Sequence, residues 1–438
     1  SQNFDTATDT YNVAVGHAAG TSITFGIANT IIGGLSGDAL TEGNNNVAVG
    51  YNTLTADTKG DRNVAIGSAA LSTQNFTTST DSYNVAVGHG AGNQITTGIE
   101  NTIIGSLAGD ALTDADFNVA VGKSALSADT LGSKSVAIGA GTLNVQNFTT
   151  ATDTYNTAVG HVAGGSITTG TRNTIVGGLA GDAITTADQN TVFGALALSE
   201  ETTGEYSVAV GYQALAVQNS TTGASMYNTV VGYKSGFSVT TGTQNVLMGA
   251  LAGDAMTTPN NNVAVGFQAL SNDTTGQSNV GVGYNALATQ NRTDSTSQFN
   301  VGVGASAGEQ ITSGTQNTLI GGLAGDELTA SDFNVAVGYS SLSTDTLGAR
   351  NVAVGHEALA SQNFTTATTS YNTAVGMQSG RLLTTGIQNV FLGALAGDEH
   401  TDADNNVSVG YAALSSDTLG SQTTAVGSGA LHNQNFTT

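Results

Sequence analysis

One glycine recurs along this chain at intervals so regular that few architectures other than a stack of coils can satisfy it. It closes the segment Asn12-Val-Ala-Val-Gly16 and returns at Gly33, Gly50, Gly67, Gly88, Gly105, Gly122 and Gly139, and so on to Gly427. All 24 of these marker positions are glycine, and their spacings run 17, 17, 17 and 21 before the cycle repeats. Four coils therefore make one superperiod, and six superperiods fill all but six of the 438 positions. Self-similarity at a fixed period is the signature of a solenoid, in which a unit buries its apolar side only by stacking on its neighbours. A spacing of 17 is too long for one strand and suits one turn of such a stack. The first six residues return in phase as Asn433–Thr438. That reads as one continuous array over residues 1–438, cut from a longer fibre.

The columns of the repeat carry the local reading. Three residues before each marker stands Val or Thr, and one before it Val or Ile in 21 of 24 coils, the others being Phe193, Met248 and Leu392. β-Branched residues two apart predict one face of a short strand, and we assign that face to the core. The marker glycine then ends the strand by reaching backbone angles closed to other residues. Three residues after it only Ala, Ser or Thr occurs, and the next position cycles Gly, Gly, Leu, Leu, as at Gly20, Gly37, Leu54 and Leu71. A helix is disfavoured, because the apolar spacing is 2 and not 3.6.

Two more columns are informative. Four before the marker, Asn stands in 21 of 24 coils (Asn12, Asn29, Asn46 and Asn63 in the first superperiod), replaced only by Ser135, Ser207 and Thr423. Stacked amides are expected to bond along the array as a ladder, with Asn also taking the left-handed turn that feeds the strand. Two before the marker, the residue is apolar or glycine in 23 of 24 coils, Ser408 being the exception. Its bulkiest members, Ile31, Ile103, Ile175, Leu247, Leu319 and Phe391, recur once per superperiod. If the β-branched face is inward, this one points out, and a strand apolar on both faces needs cover on both. The expectation is an oligomer.

Composition removes whole classes of function. With 9 Lys+Arg against 32 Asp+Glu, the net charge is −23, and no basic footprint exists for nucleic acid. Cysteine is absent, so there is neither a disulfide framework nor a thiolate metal site. An apolar content of 39%, evenly spread, separates the chain from acidic disordered tails. No apolar run approaches the roughly 20 residues of a membrane helix, and no signal-peptide pattern opens the sequence. An export address is expected outside it.

The segments Asn46-Val-Ala-Val-Gly50-Tyr-Asn-Thr-Leu54 and Asn63-Val-Ala-Ile-Gly67-Ser-Ala-Ala-Leu71 resemble the head repeats of trimeric autotransporter adhesins. They are also similar to repeats of phage tail fibres. The resemblance covers the whole chain, although these coils are longer than is typical and the four-residue insertion is periodic. It implies an all-β fold, a left-handed parallel β-roll with three chains about one axis. Handedness and the number three come from the resemblance alone. At about 4.8 Å per coil, 24 coils rise on the order of 115 Å.

Each candidate site has a plainer role beside it. The insertion joins the fourth coil to the next first coil, as in Gln74–Tyr83. Its aromatics, Phe76 with Tyr83, Phe148 with Tyr155 and Phe364 with Tyr371, are candidate glycan contacts, against packing at the edge of the roll or between chains. Gly-Asp pairs at Asp38, Asp110, Asp182, Asp254, Asp326 and Asp398 are weak calcium candidates, since calcium needs six to eight oxygens. No EF-hand or GGxGxD repeat supports them, and a solvated acidic edge is the plainer reading. Otherwise no cofactor is expected. The six histidines read as surface or groove packing, and no catalytic constellation stands out.

The expected function is a non-enzymatic shaft or head of an extracellular adhesive fibre, on a bacterial surface or a virion, that self-associates and contacts a host glycan or protein. Neither nucleic acid nor direct membrane insertion is expected. A self-assembling filament and an ice-binding solenoid are alternatives. The second is disfavoured because threonine shows no fixed outward column in every coil. A polysaccharide-degrading β-helix is disfavoured by the near-identity of the coils.

Overall fold

The computed structural model describes residues 8–294 and 296–436. Their regular structure is entirely β, a parallel β-solenoid whose 24 three-residue strands each end at a marker glycine. In the first superperiod these are Val13–Val15, Thr30–Ile32, Val47–Val49 and Val64–Ile66. Pairing is parallel and in register, so that Ala14 lies opposite Ile31, and Ile31 opposite Ala48. The longer coil that carries the insertion keeps the same register, with Ala65 opposite Ala86. A second, thinner ladder runs where the insertions leave the stack, as in Gly60–Asp61 beside Thr80–Asp81. The chain forms two compact units, each with twelve of the three-residue strands. One holds the residues up to Gln213 with Asn219–Ser225, the other Ala214–Gln218 and the residues from Met226 on.

Stacking explains the invariant glycine. Marker φ angles lie between +123° and +146°, and a Cβ on Gly122 would sit 2.5 Å from the carbonyl oxygen of Gly139 in the next coil. Any side chain would push two coils apart. Left-handed backbone also occurs in every coil two and four residues after the marker, and again just before the Asn column. The Asn itself is not left-handed; the turn falls on its predecessor, whatever that residue is, as at Tyr83 (φ 49°) and Arg62 (φ 62°). Such angles cost a non-glycine residue about 1 kcal/mol or more. The stack offsets this through bonds from those same N–H groups to adjacent coils, as Leu35 N–H to His17 O at 2.9 Å and Asn45 N–H to Ile27 O at 3.0 Å.

The strand faces are the reverse of the sequence expectation. The residue two before the marker is inward and, apart from the first coil, buried, as Ile31, Ala48, Ala65 and Phe391 are. The β-branched residues on either side of it point outward and are half-buried or exposed. The cause is the thinness of so short a coil. In the third and fourth coils Leu54 and Leu71 enter the interior, which leaves space for only Ala48 and Ala65 on the strand. In the second coil the equivalent of those leucines is Gly37, whose missing Cβ would lie 3.1 Å from Ile31 Cδ1 and 3.0 Å from Leu40 Cδ1. Large strand residues recur once per superperiod because only the second coil has such a glycine both in its own coil and in the coil before, as Gly253 and Gly236 lie beside Leu247.

A column seven after the marker completes the pattern. It reads Ile23, Leu40, Asp57, Gln74, and the cycle continues with Ile95, Leu112, Asp129, Gln146. Where glycine stands four after the marker the filler is apolar, His400 excepted, and where leucine stands there the filler is polar. Two apolar coils thus alternate with two amphipathic ones, which is what makes the period four coils and not one.

Candidate functional site

The asparagine column forms a buried amide ladder. Asn46 is typical: its Oδ1 accepts from the Asn63 backbone N–H at 2.9 Å, and its Nδ2 donates to Gly60 O at 2.9 Å, near the start of the following strand's approach. In the longer coil the equivalent stretch of chain belongs to the insertion, and that carbonyl is lost. Asn63 Nδ2 turns to Asn46 Oδ1 at 3.1 Å, Asn279 Nδ2 to Gln298 Oε1 at 2.7 Å, and Asn351 Nδ2 has no partner. All three departures from Asn fall in this coil type. At Ser135 the shorter hydroxyl accepts from Gln146 Nε2 at 2.9 Å and pairs with Thr154 Oγ1 at 2.6 Å.

Beside the ladder lies a buried relay that the sequence reading missed. Asp57 Oδ1 accepts from the Gly60 and Phe76 backbone N–H groups at 3.0 and 3.1 Å, and Oδ2 from Gln74 Nε2 at 2.7 Å. Gln74 Oε1 in turn accepts from Asn84 Nδ2 at 2.9 Å. The arrangement recurs at Asp129–Gln146–Asn156, Asp273–Gln290–Asn300 and Asp345–Gln362–Asn372. Burial pushes these four aspartates above the ordinary carboxyl range, against the pull of their hydrogen bonds. The signal is present in the sequence: an acid followed three positions on by glycine and 17 on by Gln-Asn, in every superperiod. A Cβ on Gly60 would overlap the Asp57 carboxylate.

The Gly-Asp aspartates stand one per superperiod and form no shared cage. Among the described residues no group of three or more His, Asp or Glu side chains is arranged to hold a metal ion. Asp38 accepts from Thr55 Oγ1, and Asp398 from Ser415 Oγ at 2.7 Å. Asp110, Asp182, Asp254 and Asp326 each keep a buried Oδ1 without a partner, and burial raises their carboxyls, Asp326 to about 6.

The insertion aromatics divide by face. Phe76, Phe148 and Phe364 are 5–7% exposed and pack into the coil edge, which removes them as surface contacts. Tyr83, Tyr155 and Tyr371 are about half exposed and lie beside cations: Arg62 is 5.4 Å from the Tyr83 ring centre and Lys134 5.3 Å from that of Tyr155, while Arg350 sits between Phe333 and Tyr371. Of the six histidines, His400 alone is fully buried, in a column otherwise held by Leu40, Leu112, Ile184, Met256 and Leu328. It packs on Phe391 at 5.3 Å, and neither ring nitrogen has a partner.

Threonine holds one column in the shorter coils but not in every coil. Eight residues after the marker it stands in all eighteen of the shorter coils, with Asn in the six longer ones. Its hydroxyl is directed along the stack, as Thr41 Oγ1 to Thr58 O at 3.1 Å.

Among the described residues the outward strand face of each unit exposes large apolar side chains, such as Ile66 and Phe193 in one and Met248 and Leu392 in the other. The Val, Ile and Thr of each strand form two adjacent columns, bordered on one side by Tyr83, Phe117 and Tyr155 and on the other by Tyr51, Phe267, Tyr284 and Tyr339. Phe267 and Tyr284 stack at 5.7 Å along that border. No protein-family model matches this chain, and a search of curated proteins finds no match.

Proposed function

We propose that this chain is a non-enzymatic structural segment of an extracellular adhesive fibre, with three copies packed along their outward strand faces. The observation that carries the reading is the outward face itself, a strip two residues wide, largely Val and Ile with interspersed Thr, and bordered by aromatics. Monomeric soluble proteins rarely expose contiguous apolar patches beyond a few hundred Å², and larger ones mark association surfaces. The outward columns, rich in Val and Ile, are bulkier than the Ala-rich inward column. The number three comes from the resemblance to trimeric adhesins and tail fibres. The regular interior favours reach and presentation over one dedicated pocket, and three copies of net charge −23 keep neighbouring fibres apart.

Native mass in solution tests the reading. A trimer has three times the mass of the 43.6 kDa chain. Val121→Lys and Val337→Lys, both outward, are expected to lower that mass while leaving the β-type circular dichroism spectrum unchanged. A monomeric mass for the parent chain refutes the reading, and an open-ended series of masses replaces it with a filament.

A further inference from the structure

In each of the longer coils the threonine column carries Asn instead, and a threonine follows two residues later. The tripeptides are Asn75-Phe-Thr77, Asn147-Phe-Thr149, Asn219-Ser-Thr221, Asn291-Arg-Thr293, Asn363-Phe-Thr365 and Asn435-Phe-Thr437. Asn-x-Thr with a non-proline centre is the acceptor pattern for N-linked sugar. A lone match is weak evidence. Six in one column, one per superperiod, are not six independent accidents, and their geometry agrees.

At Asn75, Asn147, Asn219 and Asn363 the side-chain oxygen accepts from the hydroxyl of the threonine one coil earlier, at 3.2, 3.1, 2.9 and 3.2 Å. This bond orients the amide by its oxygen. The nitrogen, which is the atom that carries the sugar, makes no hydrogen bond among the described residues. The central residue is anchored inward, with Phe76 N–H on Asp57 and Ser220 N–H on Glu201. The third residue is exposed in all four: Thr77, Thr149, Thr221 and Thr365. Asn75 lies nine residues along its coil from the strand that ends at Ile66, away from the apolar strip. The chain also holds an internal contrast. Asn406-Val-Ser408 fits the same pattern, but Asn406 is buried, its Nδ2 donates to Gly420 O at 2.8 Å, and Ser408 Oγ donates to Ala413 O at 2.6 Å.

We propose that the asparagines of this column are acceptor sites for N-linked glycosylation. The donor is a sugar activated at C1 by a phosphate or diphosphate, delivered by a transferase. The amide nitrogen forms the bond to C1 and loses one proton, while the C1–oxygen bond breaks and the phosphate leaves with its electron pair. No redox partner is needed. Within each compact unit successive glycans stand four coils apart, about 19 Å. The proposal goes beyond the fibre reading and rests on it only for exposure to such a donor.

The test is to produce the full chain through a eukaryotic secretory pathway, where the donor is a lipid-linked diphosphate oligosaccharide. In parallel, unmodified chain is treated with a soluble N-glycosyltransferase and UDP-glucose. Denatured mass and peptide mapping are then measured. Sugar on Asn75, Asn147, Asn219 and Asn363 in either arm, with none on Asn406, is expected, and the arm that works identifies the donor class. Thr149→Ala is expected to abolish modification at Asn147 alone and leave the thermal midpoint unchanged. Absence of sugar on this column in both arms, or modification of Asn406 to the same extent, overturns the proposal. Native mass of the same samples keeps the two readings separate, since a glycosylated monomer refutes only the trimer and an unmodified trimer only the glycosylation.

Discussion

Replacing Asn by Ser in the ladder column should cost stability in one coil type and almost nothing in another. Asn334 lies in one of the shorter coils. Its Oδ1 accepts from Asn351 N–H at 2.9 Å, and its Nδ2 donates to Gly348 O at 3.0 Å. Asn334→Ser shortens the side chain and leaves both backbone groups buried and unpaired. At about 1–3 kcal/mol for each orphaned group, the loss is about 2–6 kcal/mol. Asn351 lies in the following, longer coil. Its Oδ1 accepts from Ser370 Oγ at 2.7 Å and from Asn372 N–H at 3.1 Å, but its Nδ2 is buried with no partner. Asn351→Ser removes that orphan, and its hydroxyl can keep one of the two donors, as Ser135 keeps Thr154 at 2.6 Å, so one loss and one gain offset to within about 1 kcal/mol. Thermal and guanidinium unfolding of the two variants beside the parent, at one protein concentration, measures the difference. Hydrogen exchange at Gly348–Ser370 localises it, because stacked coils need not unfold as one cooperative unit. Equal losses in the two variants would refute the argument that a carbonyl placed like Gly348 O is what selects Asn.

Three further outcomes follow from the interior. Burial raises Asp57, Asp129, Asp273 and Asp345 above their reference of 3.8, so the folded chain holds protons more tightly than the unfolded one. Stability should then rise as pH falls through the raised values toward about 4, and in the His400→Leu chain, where the opposing imidazole is gone, a melting temperature that only falls from pH 8 to pH 4 contradicts this. His400 has the opposite sign: burial lowers its imidazole below 6.5, and its contribution is lost as pH falls below that value. His400→Leu should raise stability by about 2 kcal/mol at neutral pH by removing unpaired buried nitrogens, with a larger gain at pH 5, as read by thermal unfolding at the two pH values. Gly122→Ala should abolish folding of its coil, whereas Gly427→Ala meets only the backbone cost of about 1–3 kcal/mol. The nearest neighbour of a Cβ at Gly427 is Ala430 Cβ at 3.9 Å. Similar effects of the two in a protease-resistance assay would remove the steric account of the marker.

The solenoid, its period and its glycines were legible from the sequence because each coil repeats the same local demand 24 times. Which strand face is inward was not. Both faces are apolar, and β-branched bulk at Val47 and Val49 suggested the core, while the deciding fact, that Leu54 already fills a thin interior beside Ala48, is a property of the whole coil. The Asp57–Gln74–Asn84 relay escaped for a related reason. A charged residue is expected at the surface, and only the folded coil shows the three donors that hold it inside. The insertion aromatics looked equivalent in sequence, yet the path of the insertion sends Phe76 inward and Tyr83 outward.

The alternation of filler inside the stack also limits how such a gene can change its length. Each coil is chemically addressed to the next: Asp57 needs Gln74 one coil later, and Leu247 needs the space left by Gly236 one coil earlier. Loss or duplication of a single coil would set an aspartate against an aliphatic neighbour and strand a glutamine. Exchange of a whole four-coil block restores every junction. Reach is therefore expected to be inherited in steps of four coils, and recombination between blocks offers a lineage a ladder of working lengths with no poorly packed intermediates.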